Sequence, residues 1–317
     1  MSINNSPMRI VIAVCTRERP KMLEKQLNAI LKLNSVMNLT TQIVIVENGP
    51  EQTSFDVVKR LTGEMSYHWE PRVGLTFARN TAIERCLDTE PDWIAFFDDD
   101  EVVDQNWLVE MAAAIDQFPK AKAFAGPVHR NVSGDATVWF PRFRNAKFNT
   151  GVKVRKASTG NILFHKSVYS ENGANLRFDD RFNLTGGEDA FLFESMRRAG
   201  FPLLWVQGAF CLDEVPPERS TLGARFSRSV RDTHINGVID QIFQGSVLGR
   251  LGNFALALKM LFHFGSYVMA AAVVVPFSRP RAQNYIAVAI HKLSIFIGYG
   301  IAIILPLKPV YQTVDGN

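Results

Sequence analysis

The 317-residue chain has little cysteine: Cys15, Cys86 and Cys211 are odd in number, far apart and in no paired-ligand pattern. That excludes a disulfide framework and a thiolate zinc site, and leaves buried or inert thiols as the expectation. Net charge is also low. A formal +4, without interleaved aromatic and basic residues, gives no basis for nucleic-acid binding. There is no G-x-G-x-x-G and no P-loop lysine, so dinucleotide and nucleotide-hydrolysing enzymes both lack their usual phosphate cradle. The apolar run at Ile10–Val14 is too short for a signal-peptide core and has no basic lead, which points to a catalytic part in the cytosol. With 47% hydrophobic and 21% charged residues the chain is not disordered, and its length allows one large domain or two smaller ones.

What is present centres on Trp93-Ile94-Ala95-Phe96-Phe97-Asp98-Asp99-Asp100-Glu101, an apolar run that ends in four carboxylates. Apolar residues without polar alternation suit a strand covered on both faces, with its carboxyl end where open α/β sheets bind ligands. Asp98 and Asp100 share one face of an extended backbone, and a hard divalent cation supported by a ligand's phosphate oxygens would relieve the repulsion among the four carboxylates. An acidic turn capping the next helix, with Asp104 as N-cap, accounts for the same residues without a ligand.

Along the chain, strand and helix patterns alternate. Arg9–Val14 and Gln42–Val46 read as strands, each followed by apolar residues at helical spacing, and Ser66–Trp69 as a short third strand. This order implies a mainly parallel sheet with polar loops gathered at one edge. Gly74 precedes a helix running towards Leu87, whose amino terminus with nearby arginines could hold a diphosphate or simply pack. Further strands are expected around Ala123–Val128 and Ile162–Phe164, separated by a basic segment, Arg142–Lys156, that suits either solvated surface or a loop beside an anionic donor. The double glycine of Thr185-Gly186-Gly187-Glu188-Asp189 opens a helix ending near Gly200 and lets backbone and carboxylates approach a ligand closely. Arg225, Arg228, Arg231 and His234 form a basic stripe on a later helix, read as a solvated face or a contact for phosphates.

After Arg250 the composition turns apolar. Met260–Ser278 has the length of a spanning helix, and Tyr285–Leu307 is apolar but for His291 and Lys292. Two crossings would put Arg279 and Arg281 outside, against the positive-inside tendency, and a hairpin lying in the cytosolic leaflet avoids that conflict. A hydrophobic pair packing on protein is the alternative. Residues 1–245 are therefore expected to form the catalytic domain and 246–317 a membrane-associated helical region, with membrane contact through 250–307.

Six motifs, in order, resemble the family 2 glycosyltransferases, inverting enzymes of the GT-A fold, and among them bacterial exopolysaccharide enzymes of the succinoglycan type. They are Cys15–Pro20, Glu47-Asn48, Gly74 with Ala78-Arg79-Asn80, the D-x-D of Asp98–Asp100, Thr159-Gly160-Asn161 and Gly187-Glu188-Asp189, covering about residues 8–235. The resemblance implies a Rossmann-like α/β fold and a nucleotide-sugar donor, UDP-linked, with Thr16, Arg17, Glu47, Arg79, Asp98 and Asp99 on the donor. Asp98 and Asp100 would hold Mg²⁺ or Mn²⁺. Gly160, Asn161 and Gly187 would lie on the side of a lipid-linked or saccharide acceptor, with Glu188 and Asp189 catalytic and Asp189 the base. The Q-x-x-R-W motif of processive members is absent, which favours single transfers. The implied place is the cytoplasmic face of a bacterial inner membrane. A nucleotidyltransferase with the same sheet and acidic site, or a membrane-attached binding protein, are the competing readings. Product analysis and calorimetry with a nucleotide sugar separate them.

Overall fold

A computed structural model describes residues 6–61, 65–132 and 148–307. Arg142, Arg144 and Lys147 of the expected basic loop lie outside these residues. The elements are β1 (Met8–Thr16), α1 (Pro20–Ile30), β2 (Leu39–Asn48), α2 (Phe55–Arg60), β3 (Met65–Glu70), α3 (Leu75–Leu87), β4 (Trp93–Asp98), β5 (Glu101–Val103), α4 (Trp107–Gln117), β6 (Ala123–Ala125) and β7 (Val128–Val132). Then follow β8 (Lys153–Val154), β9 (Asn161–His165), α5 (Glu188–Arg198), β10 (Leu203–Trp205), β11 (Cys211–Val215), α6 (Pro217–Ser220), α7 (Leu222–Gln244), α8 (Ser246–Val274) and α9 (Arg279–Ile304). They fall into two compact units, one running from β1 through Glu214 and the other formed by the helices from Val215 onward.

The first unit is an α/β sheet in the order β3-β2-β1-β4-β9-β6-β10-β8. β3, β2, β1 and β4 run parallel, and β9 inserts antiparallel between β4 and β6. The centre of β1, Ile10 to Val14, is almost wholly buried because helices cover both faces of the sheet. One core layer holds Leu23, Leu27, Trp107 and Met111 from α1 and α4; the other holds Ala82, Ile83, Leu192 and Met196 from α3 and α5. A second sheet, β5-β11-β7, lies beyond the acidic end of β4. The residues after Asp100 thus extend as a strand before α4 begins, and Asp104 accepts from the Asn106 backbone N–H at 2.8 Å in the turn between them.

The helical unit is held by small residues and polar contacts between helices. A Cβ on Gly237 would stand 2.6 Å from that of Ala302, so α7 and α9 approach backbone to backbone there. Gln241 donates to the Ala302 carbonyl at 2.7 Å, and Asn253 of α8 to the Gly237 carbonyl at 3.0 Å. The unit therefore includes α7 and begins at Val215, ahead of the boundary after residue 245 that composition suggested. Among the described residues, α8 and α9 are each long and apolar enough to cross a membrane. The basic stripe of α7 is partly used within the unit: Arg228 and Arg231 lie near Asp232, and the His234 ring meets the Leu305 carbonyl.

Candidate active site

Parallel pairing sets the ends of β1, β2 and β4 side by side: Thr16 is opposite Glu47, and Cys15 is opposite Asp98. Polar residues distant in sequence meet there because each strand ends at the same edge. Thr16 Oγ1 donates to Asp99 Oδ2 at 2.7 Å, and the Arg19 guanidinium lies 3.3 Å from Asp99 and 3.6 Å from Asp100. Burial raises the Asp99 carboxyl above its ordinary value, with Arg19 opposing. Burial, reinforced by Asp98 and Asp99, pushes Asp100 up to about 6. Crowded carboxylates with limited water favour protonation, which a cation would reverse. Cys15, the thiol nearest the cluster, is pushed up to about 12 by burial and is neutral, as expected of an inert cysteine.

Arg79 joins this edge to a second acidic centre. Its guanidinium donates to Glu188 Oε1 at 2.7 Å and to Asp98 Oδ1 at 3.1 Å, and is itself buried. Burial by itself would lower its pKa, but Asp98 and Glu188 hold it above the ordinary range. Gly186 and Gly187 both adopt positive φ, 77° and 95°, which turns the chain sharply into α5 and places Glu188 and Asp189 in its first turn. Burial pushes Glu188 up to about 7; Arg79 opposes this and Asp189 adds to it. Asp189 is half-buried, and its Oδ1 accepts from the Ala190 N–H at 2.6 Å.

Several residues expected to touch ligands also have structural duties. Glu47 is fully buried, and its carboxylate accepts from the backbone N–H and hydroxyl of both Thr53 and Ser54 and from the Tyr67 hydroxyl. It shapes the loop after β2. Asn161 is likewise fully buried: it donates to the carbonyls of Pro127 and Ala209 and accepts from Trp107 Nε1. It therefore ties β9 to its neighbours. The amino terminus of α3 is closed as well. Asn183 accepts from the Thr76 N–H, Asn48 accepts from the Gly74 N–H, and a Cβ on Gly74 (φ 146°) would overlap the Asn183 amide. Arg79 lies between carboxylates and Arg72 is paired with Glu70. Arg17 stands at the edge itself, 3.8 Å from Glu18 and against Gly49.

The residues fit a hard divalent cation. Asp98 Oδ1 is held by Arg79, while its Oδ2 lies over Gly160, where an added Cβ would stand 2.6 Å from it and 2.7 Å from Glu101 Oε2. Pairing of Phe97 with Asn161 brings Gly160 beside Asp98, and only glycine admits the two carboxylates so close to the backbone. The all-oxygen set suits Mg²⁺ or Mn²⁺. Among the described residues, no three His, Cys, Asp or Glu side chains form a ready-made site. Sequence reasoning placed Glu101 among the four carboxylates without a role of its own, and gave none to Arg19, although Arg19 lies within the Cys15–Pro20 motif.

Comparison with known proteins adds to this geometry. The sequence model of glycosyl transferase family 2 matches residues 10–173. The succinoglycan biosynthesis protein ExoM of Rhizobium meliloti (strain 1021) is 28% identical over 244 residues, covering 74% of this chain and 75% of that protein. Among solved structures, S. aureus TarS superposes with a TM-score of 0.54 at 15% identity, covering 93% of this chain and 55% of the TarS chain. The chain thus spans about half the length of TarS. The mannosyltransferase PcManGT from Pyrobaculum calidifontis, in complex with GDP-Man and Mn²⁺, superposes with a TM-score of 0.58 at 12% identity, covering 94% and 87% of the two chains. These structures share the GT-A fold with the chain.

Proposed function

The chain belongs to glycosyl transferase family 2, and from that premise we propose that it is an inverting enzyme moving a sugar from a UDP-linked donor to a hydroxyl of a lipid-linked or saccharide acceptor. The likeness to ExoM supports a place in exopolysaccharide synthesis. One observation carries the proposal: a single buried guanidinium, that of Arg79, joins Asp98 at the end of β4 to Glu188 at the start of α5. One carboxylate centre serves the leaving group and the other the incoming alcohol.

In this reading Thr16, Arg17 and Asp99 border the nucleoside, and Asp98 with Asp100 bind a divalent cation. When bound, that cation neutralises charge building on the departing diphosphate. Asp189 takes the proton of the acceptor hydroxyl as its oxygen bonds to the anomeric carbon, and the electron pair of the breaking C–O bond leaves with the nucleoside diphosphate. Proton removal by a placed carboxylate contributes about 10² to 10⁴ in rate. Attack on the face opposite the departing group inverts the anomeric centre, as in inverting glycosidases. Glu188, held by Arg79, fixes the first turn of α5 and so the position of Asp189.

The helical unit supports attachment to a membrane. Leu251, Phe254, Leu258, Phe262, Met269 and Val273 of α8 are all exposed and recur at helical spacing, forming one apolar face. Charged α7 packs along the carboxyl-terminal half of α9, from Ser229 against Ser294 to Gln241 against Ala302. This favours a hairpin lying within one leaflet, the cytoplasmic one, over two full crossings.

The deciding experiment incubates the purified protein with a panel of UDP- and GDP-sugars, with Mn²⁺ or with EDTA, and measures nucleotide release. Mn²⁺-dependent release of a nucleoside diphosphate supports the proposal. Release of pyrophosphate would instead indicate a nucleotidyltransferase, and binding without turnover of any sugar a non-catalytic protein.

A further inference from the structure

The acidic run contains one buried carboxylate oxygen without a hydrogen-bond partner. Asp98 Oδ1 is bonded to Arg79, Asp99 to Thr16 and Arg19, and Asp100 lies beside Arg19. Glu101 differs: its side chain is buried, with 6% of the residue exposed, and its Oε2 makes no hydrogen bond. Arg130, on the same small sheet, is engaged with Asp213 at 3.3 Å. The unpartnered oxygen faces Asp98 Oδ2, since one methyl group on Gly160 would touch both.

This placement follows from the backbone. β5 continues from β4 after a two-residue turn and pairs with β11, with Glu101 opposite Asp213. Gly160 immediately precedes β9, whose first residue, Asn161, pairs with Phe97, so no side chain separates Asp98 from Glu101. A buried, unpartnered carboxylate oxygen beside the half-exposed Asp98 carboxylate is unfavourable without a positive charge or a proton nearby. Two hard anionic oxygens with a glycine backbone below form half of a Mg²⁺ or Mn²⁺ shell, which phosphate oxygens and water can complete.

We infer that Glu101 is a cation ligand of this protein, acting with Asp98 Oδ2 across Gly160. The inference rests on the transferase reading of the site and extends the D-x-D set by a residue outside that motif. Glu101 is then the residue that draws the cation to the inner side of the cluster, away from Arg19. Gly160 serves the same site by leaving room for both carboxylates.

The test is Mn²⁺ binding by the full-length protein without nucleotide, read as loss of the free-ion signal in electron paramagnetic resonance. Wild type is expected to bind at millimolar Mn²⁺ or below. Glu101→Gln, nearly isosteric, should weaken binding by at least about tenfold, the lower end of what disturbing the surroundings of a metal site costs. Glu214→Gln removes the same charge from an exposed position and should bind like wild type. Gly160→Ala, a second route to the same site, should also weaken binding by forcing the carboxylates apart, with circular dichroism confirming the fold of each variant. Wild-type affinity in folded Glu101→Gln would overturn the inference and leave the transferase reading intact. No Mn²⁺ binding by wild type at all would overturn it together with the metal dependence proposed above. Sugar-nucleotide turnover, measured separately, decides the transferase reading.

Discussion

Arg79 and Glu188, 109 residues apart in sequence, form a buried ion pair at 2.7 Å that ties the middle of α3 to the first turn of α5. The other arm of the same guanidinium meets Asp98 at 3.1 Å. The donor side and the proposed base are thus positioned by one side chain, which gives the first prediction. Arg79→Ala leaves Glu188 and Asp98 without their counter-charge and should cost about 3–5 kcal/mol in denaturant unfolding, as breaking other buried pairs does. Arg79→Lys keeps the charge but cannot fork to both carboxylates, so it should recover only part of that loss. Wild-type stability in Arg79→Ala would show that the pair contributes nothing.

Asp189 is expected to act on turnover. Asp189→Asn keeps the shape and the contact to the Ala190 N–H but cannot accept the acceptor's proton. Nucleotide-sugar affinity by calorimetry should be retained while the transfer rate falls by about 10² or more. If the residue served only the dipole of α5, the change would be a stability loss of about 0.3–1 kcal/mol with transfer largely kept. A near-wild-type transfer rate in the folded variant would move the role of base to Glu188.

Glu188 makes stability depend on pH. Its carboxyl is pushed up to about 7 from 4.5, chiefly by burial. Between those values the folded chain keeps a proton that the unfolded chain has released, so this group's contribution falls as pH rises from 4.5 to 7 and is level beyond. Glu188→Gln should flatten that slope, which urea unfolding at the two ends of the window will measure. An unchanged slope would mean that another group titrates there.

The exposed face of α8 should govern membrane binding. Phe262→Asp combined with Met269→Asp alters two exposed positions, so folding should be little affected. Each aspartate costs about 2.5–3.5 kcal/mol at the centre of a bilayer, and somewhat less nearer its surface. Sedimentation with vesicles of bacterial lipid composition should therefore fall sharply compared with wild type. Equal sedimentation of both proteins would rule out lipid contact through this face.

Local signals carried much of the fold. β1, β2 and β4 were legible because strands buried on both faces read as unbroken apolar runs, and α4 and α5 because their apolar residues recur at helical spacing. The family could be read from six motifs in order, since each is a short stretch of neighbouring residues. The acidic cluster and the Gly186-Gly187 turn were visible for the same reason: they are contiguous in sequence.

Tertiary structure decided which polar groups are free to act. Glu47 and Asn161 read as site residues in sequence, and folding gives each a buried set of partners: the Thr53–Ser54 loop just after β2 and the Tyr67 hydroxyl for Glu47, the carbonyls of Pro127 and Ala209 for Asn161. Arg79, expected on the donor, meets Glu188 and Asp98 only when folding brings them together. Asn183 closes the amino terminus of α3 from over a hundred residues away. Glu101 became distinct from its three acidic neighbours only when antiparallel β9 set Gly160 beside Asp98 and left one carboxylate oxygen without a partner. Periodicity and motifs are properties of neighbouring residues and survive in the sequence. The pairing of a buried charge depends on which strands and helices meet, and that is fixed only when the chain has folded.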